Sequence, residues 1–141
     1  MEISVVHHTI HWQAAHKAVI AAVEHAEQLG IAINVAVVDS GGNLVAFLRM
    51  PSAFLHSIDI AKDKAYTAAS FRFPTSQWKD IFENEAMLAK GMPHRERLVV
   101  FGGGIPLEVG GISLGGVGVS GGSEEEDIEC AQAAIQAIQL M

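Results

Sequence analysis

Hydrophobic positions recur along this chain with two different periods, and the switches between them divide it into elements. Over residues 9–29 the period is helical: Trp12, Ala15, Val19, Ala22, Val23, Ala26 and Leu29 share one stripe, opposite Lys17, Glu24 and Gln28. Gly30 then supplies a C-terminal stop. Ile31–Val38 is short and β-branched, and Asn43–Met50 returns with the same character. Between them Asp39-Ser40-Gly41-Gly42-Asn43 offers glycines that accept positive φ, so this stretch predicts a β-hairpin. After Pro51-Ser52 the helical spacing resumes over 53–70, with Phe54, Ile58, Ala61, Ala65 and Ala68 on one face. Pro74 interrupts it. A shorter helix follows as far as Lys90-Gly91, with Thr75 or Ser76 as its N-cap and Asp80 in its first turns.

Leu98–Phe101 predicts a short strand. Residues 102–122 hold ten of the fourteen glycines, yet Ile105, Leu107, Val109, Ile112, Leu114, Val117 and Val119 are interleaved with them. Disordered linkers lack such residues, so the segment predicts two short strands that approach their neighbours closely and are joined by a glycine turn. Ser123 and Glu126 form a capping box, and Ile128, Ala131, Ile135 and Ile138 make the stripe of a last helix. The predicted order is α-ββ-α-α-βββ-α. Strands joined by tight turns pair antiparallel, and helices with one apolar face must cover them. The expectation is an α+β domain over residues 1–141, with a five-stranded antiparallel sheet flanked by helices.

Composition narrows the class. Hydrophobic residues make up 50% of the chain and charged residues only 18%, which excludes disorder. A formal charge of −7, with nine basic residues scattered, argues against nucleic acid and anionic membranes as partners. The apolar runs are strand-sized, so no membrane span is expected. Met1–His11 is polar and lacks the apolar run of a signal peptide; the expectation is a soluble cytoplasmic protein. One cysteine, Cys130, rules out an internal disulfide and a thiolate metal cluster, and its place beside an apolar stripe reads as a small packed hydrophobe.

Gly116-Val117-Gly118-Val119-Ser120-Gly121 matches the glycine pattern of dinucleotide-binding turns. The mechanism fails here. No second strand follows to carry a ribose-binding acid, and Glu124, Glu125, Glu126 and Asp127 crowd a helix start that would have to hold a pyrophosphate. Those four carboxylates read instead as a solvated, dipole-complementing first turn.

Histidine is the richest candidate class for chemistry. His8 and His11 fall on or just ahead of the first apolar stripe, and His16 and His25 flank it. His8 and His11 have metal-ligand spacing if the helix extends that far, but no Asp, Glu or Cys completes a tetrahedral set nearby. A haem axial ligand asks less, one neutral imidazole in an apolar cleft, and the sequence does not choose among the four histidines. Arg49 at a strand end and Lys64 on the second helix are placed to receive carboxylates, or else to pair with Asp39, Asp59 or Asp63. Thr67, one turn on from Lys64, and Thr75 offer hydroxyls as caps or pocket groups. No G-x-S-x-G elbow surrounds Ser120, and no acid–base pair has a spacing that demands catalysis.

Several of these motifs together resemble one family. Ala36-Val37-Val38-Asp39-Ser40-Gly41-Gly42-Asn43-Leu44-Val45-Ala46-Phe47-Leu48-Arg49-Met50, Ser57-Ile58-Asp59-Ile60-Ala61 and Lys64-Ala65-Tyr66-Thr67-Ala68 look like the GlcG/HbpS-like family, which includes the C-terminal domain of PduO-type corrinoid adenosyltransferases. Gly103-Gly104-Ile105-Pro106-Leu107, Gly115-Gly116-Val117-Gly118-Val119-Ser120-Gly121-Gly122 and the acidic run ending at Asp127 continue the match. The resemblance implies a profilin-like α/β/α layer, homo-oligomeric assembly and, for several members, haem binding. Other members accompany cobalamin-dependent diol or glycerol metabolism.

The function expected on these grounds is a cytoplasmic accessory protein that binds a tetrapyrrole, haem or a corrinoid, in diol, glycerol or glycolate metabolism. His8, His11 and His25, with Arg49, Lys64 and Thr67, are the candidate cofactor-binding residues, and one of His8, His11, His16 and His25 is the candidate haem ligand. A cofactor-free interaction subunit of a metabolic enzyme and an enzyme acting on a small carboxylate or aldehyde are the competing readings.

Overall fold

The computed structural model describes residues 1–139 and 141. Its elements are α1 (Trp12–Leu29), β1 (Asn34–Asp39), β2 (Leu44–Arg49), α2 (His56–Phe71), α3 (Trp78–Asn84), α4 (Ala86–Gly91), β3 (Gly104–Val109), β4 (Ile112–Ser120) and α5 (Glu124–Gln139), with single 3-10 turns at Thr75–Gln77 and Met92–His94. The four strands form one antiparallel sheet in the order β2-β1-β4-β3.

Alternation along β1 and β4 separates the two faces of this sheet. Val35, Val37, Val117 and Val119 pack with Ala15, Val19 and Ala22 of α1 and with Cys130, Ala131 and Ala134 of α5. Ala36 and Val38 pack on the other face against Ala61, Ala65 and Ala69 of α2. The result is three layers: α1 and α5, the sheet, then α2.

On the α2 side, β4 has almost no side chains. A Cβ built on Gly118 would lie 2.1 Å from the Ala61 carbonyl oxygen, and one on Gly116 would lie 2.4 Å from that of Ala65. Gly104 on β3 is as tight, 2.5 Å from the Lys64 carbonyl oxygen. The helix therefore rests on strand backbone. Of the glycines that mimic a dinucleotide motif, Gly116 and Gly118 face a helix and Gly121 faces the backbone of Ala32 and Ile33.

Several expectations need correction. The second helix begins at His56 rather than residue 53, which leaves Phe54 exposed, and Thr75 is not a cap: its buried hydroxyl accepts from the Gly104 N–H at 2.9 Å. The sheet has four strands, not five, because Leu98–Phe101 is not one of them. This segment crosses α2 instead, where the Thr67 hydroxyl donates to the Arg97 carbonyl (2.8 Å) and accepts from the Val99 N–H (3.1 Å), occupying groups a ladder would need. The first helix begins at Trp12 rather than residue 9, and both Trp12 and Leu29 at the ends of its stripe are exposed. Ile10 is buried in their place, tied by its N–H to the Leu114 carbonyl (3.0 Å). The hairpin and capping box form as predicted. Asp39 Oδ1 accepts from the N–H groups of Gly41 and Asn43, and Ser123 and Glu126 exchange reciprocal bonds.

Adding one methyl group to β4 tests this packing. Gly118→Ala is expected to destabilise the protein by about 3 kcal/mol or more, the upper end of overpacking costs. Gly91→Ala, where a Cβ meets open space, is expected to be neutral or to stabilise by up to about 1 kcal/mol. Urea unfolding of the two variants beside the parent measures both effects.

Candidate functional site

Because α2 lies so close to β4, the Lys64 side chain cannot escape to solvent; it is 1% exposed. Its Nζ donates to the Val119 carbonyl at 2.7 Å and to Asp127 Oδ2 at 3.1 Å, and lies 5.2 Å from the centre of the Phe101 ring. Gly103, at φ +124°, makes room: a Cβ there would fall 2.6 Å from Nζ. The other Asp127 oxygen accepts from the Gly122 N–H at 2.9 Å. Burial pushes the Lys64 pKa down and the Asp127 pKa up, and each charge partly opposes the shift of the other. The pair joins α2 to the first turn of α5, across the sheet layer. Its partner is none of the three aspartates weighed from the sequence: Asp63 holds Arg97 at 2.9 Å, and Asp39 holds the hairpin turn.

The acidic run is equally structural. Glu124, Glu126 and Asp127 accept from the N–H groups of Gly102, Ser123 and Gly122 respectively. Cys130 is buried, and desolvation together with Asp127 pushes its thiol up to about 12. It is a packed hydrophobe with little thiolate character.

The remaining candidates divide between layers. Arg49 ends β2 opposite Asn34 and is exposed; its Nη2 donates to the Ala53 carbonyl at 3.0 Å. Asn34 is fully buried, its Nδ2 donating to the Phe54 carbonyl while Oδ1 has no partner among the described residues. Arg49, Lys64 and Thr67 all belong to the α2 side. The histidines do not. His11 is the N-cap of α1, its Nδ1 accepting from the Gln13 N–H at 3.1 Å. His25 is partly buried, with Nε2 at 3.2 Å from Glu129 Oε2 of α5. His8 and His16 are exposed, His8 in a run that also exposes Ile3, Val5 and Val6. Among the described residues, no group of three or more His, Cys, Asp or Glu is arranged to hold a metal ion.

Recesses of the surface flank α2 and α5, and a wide, open one of about 520 Å³ runs along α3 and α4 beside Asp80, Ile81, Asn84 and Leu88. One of about 190 Å³ opens beside Tyr66 and Thr67, walled by Phe71, Met92, Arg95 and Leu98. A second of about 180 Å³ lies on the other side of Tyr66, against Ser40, Gly41 and Gly42. A polar groove of about 250 Å³ contains His25 and Glu129. Sequence reasoning missed Tyr66, Arg95 and Arg97, since no periodicity or spacing marks a loop that curls back over a helix.

A family model described as haem degrading protein HbpS-like matches residues 10–136. The corrinoid adenosyltransferase PduO of Salmonella typhimurium is 40% identical over 126 residues, covering 89% of this chain and 38% of that protein. The chain thus spans about two-fifths of the length of that relative. Among solved structures, Klebsiella pneumoniae protein ORFY superposes with a TM-score of 0.90 at 31% identity, covering 100% of this chain and 98% of that one. A structure described as the PduOC:heme complex has a TM-score of 0.84 at 37% identity, covering 92% and 94%.

Removing one member of the ion pair should be costly. Lys64→Met leaves Asp127 buried without its counter-charge, and a loss of about 3–5 kcal/mol is expected near neutral pH. The sign of the pH dependence follows from the raised Asp127 pKa: protonation suits the folded state more than the unfolded one. The deficit of Lys64→Met therefore shrinks as pH falls and the carboxyl takes up a proton. Adding Asp127→Leu should recover most of the loss. Denaturant unfolding of the single and double variants, in neutral and mildly acidic buffer, measures both effects.

Proposed function

This chain belongs to the HbpS-like family, and on that premise we propose that it is a cytoplasmic accessory protein that binds a tetrapyrrole, haem or a corrinoid, in cobalamin-dependent diol or glycerol metabolism or in glycolate metabolism. The observation that carries this reading is its likeness, over nearly the whole chain, to the protein of the PduOC:heme complex. The similarity to PduO supports the corrinoid branch.

The donor chemistry of this chain fits such a group. An axial ligand must offer a lone pair from a neutral imidazole whose second nitrogen is held by a partner. His25 has the partner on its second nitrogen. Its Nε2–H donates to Glu129, which leaves Nδ1 as the acceptor nitrogen beside the α1–α5 groove. His11 fits less well, since Nδ1 already accepts the Gln13 N–H and the proton must then sit on Nε2. His8 has no such commitment, and the exposed Ile3, Val5, Val6 and Trp12 offer apolar surface in its part of the chain. Haem, when bound, supplies a redox-active iron; the residues of the chain hold and orient it. Arg49 keeps guanidinium donors open for a carboxylate after its one bond to Ala53. Lys64 and Thr67 act one step back, fixing α2 and the loop that crosses it.

The recesses of about 180–250 Å³ around Tyr66 and His25 are smaller than the roughly 300–1,000 Å³ usual for enclosed ligands. We infer that a macrocycle lies on a surface shared between copies, so the protein works as a homo-oligomer. Haemin titration is expected to give a saturable Soret shift that His25→Ala abolishes and Arg49→Ala weakens severalfold. A flat titration would remove the haem reading, and cobalamin would then be titrated in the same way. Light scattering is expected to report a multimer; a monomeric mass would contradict the shared surface.

A further inference from the structure

We propose that the recess beside Tyr66 is a separate binding site for a small monocarboxylate with an apolar body. The recess is a built feature. The Tyr66 ring is pressed against the hairpin turn, where Gly42 at φ +85° has no Cβ; one there would lie 2.8 Å from the ring. The Arg97 guanidinium lies 3.8 Å from the centre of the same ring. Arg97 itself has φ +63°, a left-handed conformation unfavourable for a side-chain-bearing residue. Two contacts maintain it: Asp63 accepts from Nε at 2.9 Å, and the buried Thr67 hydroxyl donates to the Arg97 carbonyl. Strain that persists because its surroundings enforce it is a mark of functional sites.

The chemistry of the walls selects the ligand. Arg95 forms no ion pair among the described residues, and the terminal amino groups of Arg97 remain open because only Nε meets Asp63. An arginine fork of this kind matches a carboxylate. Phe71, Met92 and Leu98 give the recess an apolar side for the rest of the molecule. Glu96 also lines it and disfavours a second negative charge. A volume of about 190 Å³ restricts the ligand to small molecules. The site stands without the tetrapyrrole reading, since it uses neither the histidines nor Arg49; Thr67 lines it and serves both only by fixing the loop that crosses α2.

The test is a titration of the isotope-labelled protein with benzoate, followed by amide chemical shifts. Saturable shifts are expected at residues 66–71 and 92–98, with benzamide giving none. Arg95→Gln, an exposed change that leaves the fold intact, is expected to weaken benzoate by about tenfold, as loss of a charge-assisted bond does. Succinate is expected to bind less well than benzoate, and Glu96→Gln to narrow that gap. No saturable shift, equal affinity for benzamide, or unchanged affinity in Arg95→Gln would each overturn the proposal. Haemin binding should be unaltered in Arg95→Gln; joint loss of both ligands would refute a separate site.

Discussion

The contact between α2 and the bare backbone of β4 is the constraint on which the rest of this molecule depends. A helix packed on a sheet normally rests on a layer of side chains; here Gly116 and Gly118 remove that layer, and Ala61, Ala65 and Ala69 answer with the smallest side chains available. The approach leaves no space beneath the helix for a long residue. Lys64, whose Cβ stands 3.0 Å from the position a Gly118 Cβ would take, can only run along the sheet to its end. There it finds Val119 and Asp127. The buried ion pair is thus a consequence of the close packing, reached where β4 ends and α5 begins.

A buried pair of this kind is weak evidence for stability, because desolvating two charges costs about as much as their attraction returns. Its value lies in position. The ammonium has a single site where both a carbonyl and a carboxylate meet it, so α2 cannot slide along β4 without leaving a buried charge unpaired. Asp127 is fixed in turn by the Gly122 N–H, and Glu124 takes the Gly102 N–H. Two glycine-rich segments and two helices on opposite sides of the sheet are therefore referenced to one cluster of charges.

Local signals in the sequence were legible where the structure is local. Asp39 to Asn43 encode their turn through one carboxylate that gathers nearby N–H groups, and Ser123 with Glu126 encodes a helix start within four residues. The glycine-rich half was legible as close-approach strands, but not which partner they approach, since that depends on α2 arriving from some fifty residues earlier. The pairing of Lys64 with Asp127 was illegible for the same reason, and the acidic run looked like a solvated surface because its targets are backbone amides. Leu98–Phe101 reads as a strand by composition; only Thr67, thirty residues away, diverts it. Trp12 shows the limit of periodicity itself, because a helical stripe gives direction and not the point at which the covering layer ends.

The candidate site divides for a geometric reason. The candidates His11, His16 and His25 lie on or at the start of α1 and the cationic candidates on the α2 side, with the sheet between them, so no rearrangement of side chains within one chain brings His25 and Arg49 onto one planar ligand. Either each layer binds something of its own, or surfaces of different copies meet. The two halves differ in kind. The α1–α5 groove offers an imidazole with its tautomer fixed by a carboxylate, a feature suited to a metal. The α2 side offers arginines about an aromatic ring, a feature suited to a carboxylate. A fold that separates these chemistries by the thickness of a sheet can join them on one ligand only through assembly, so the proposed shared tetrapyrrole site and the proposed oligomer stand or fall together.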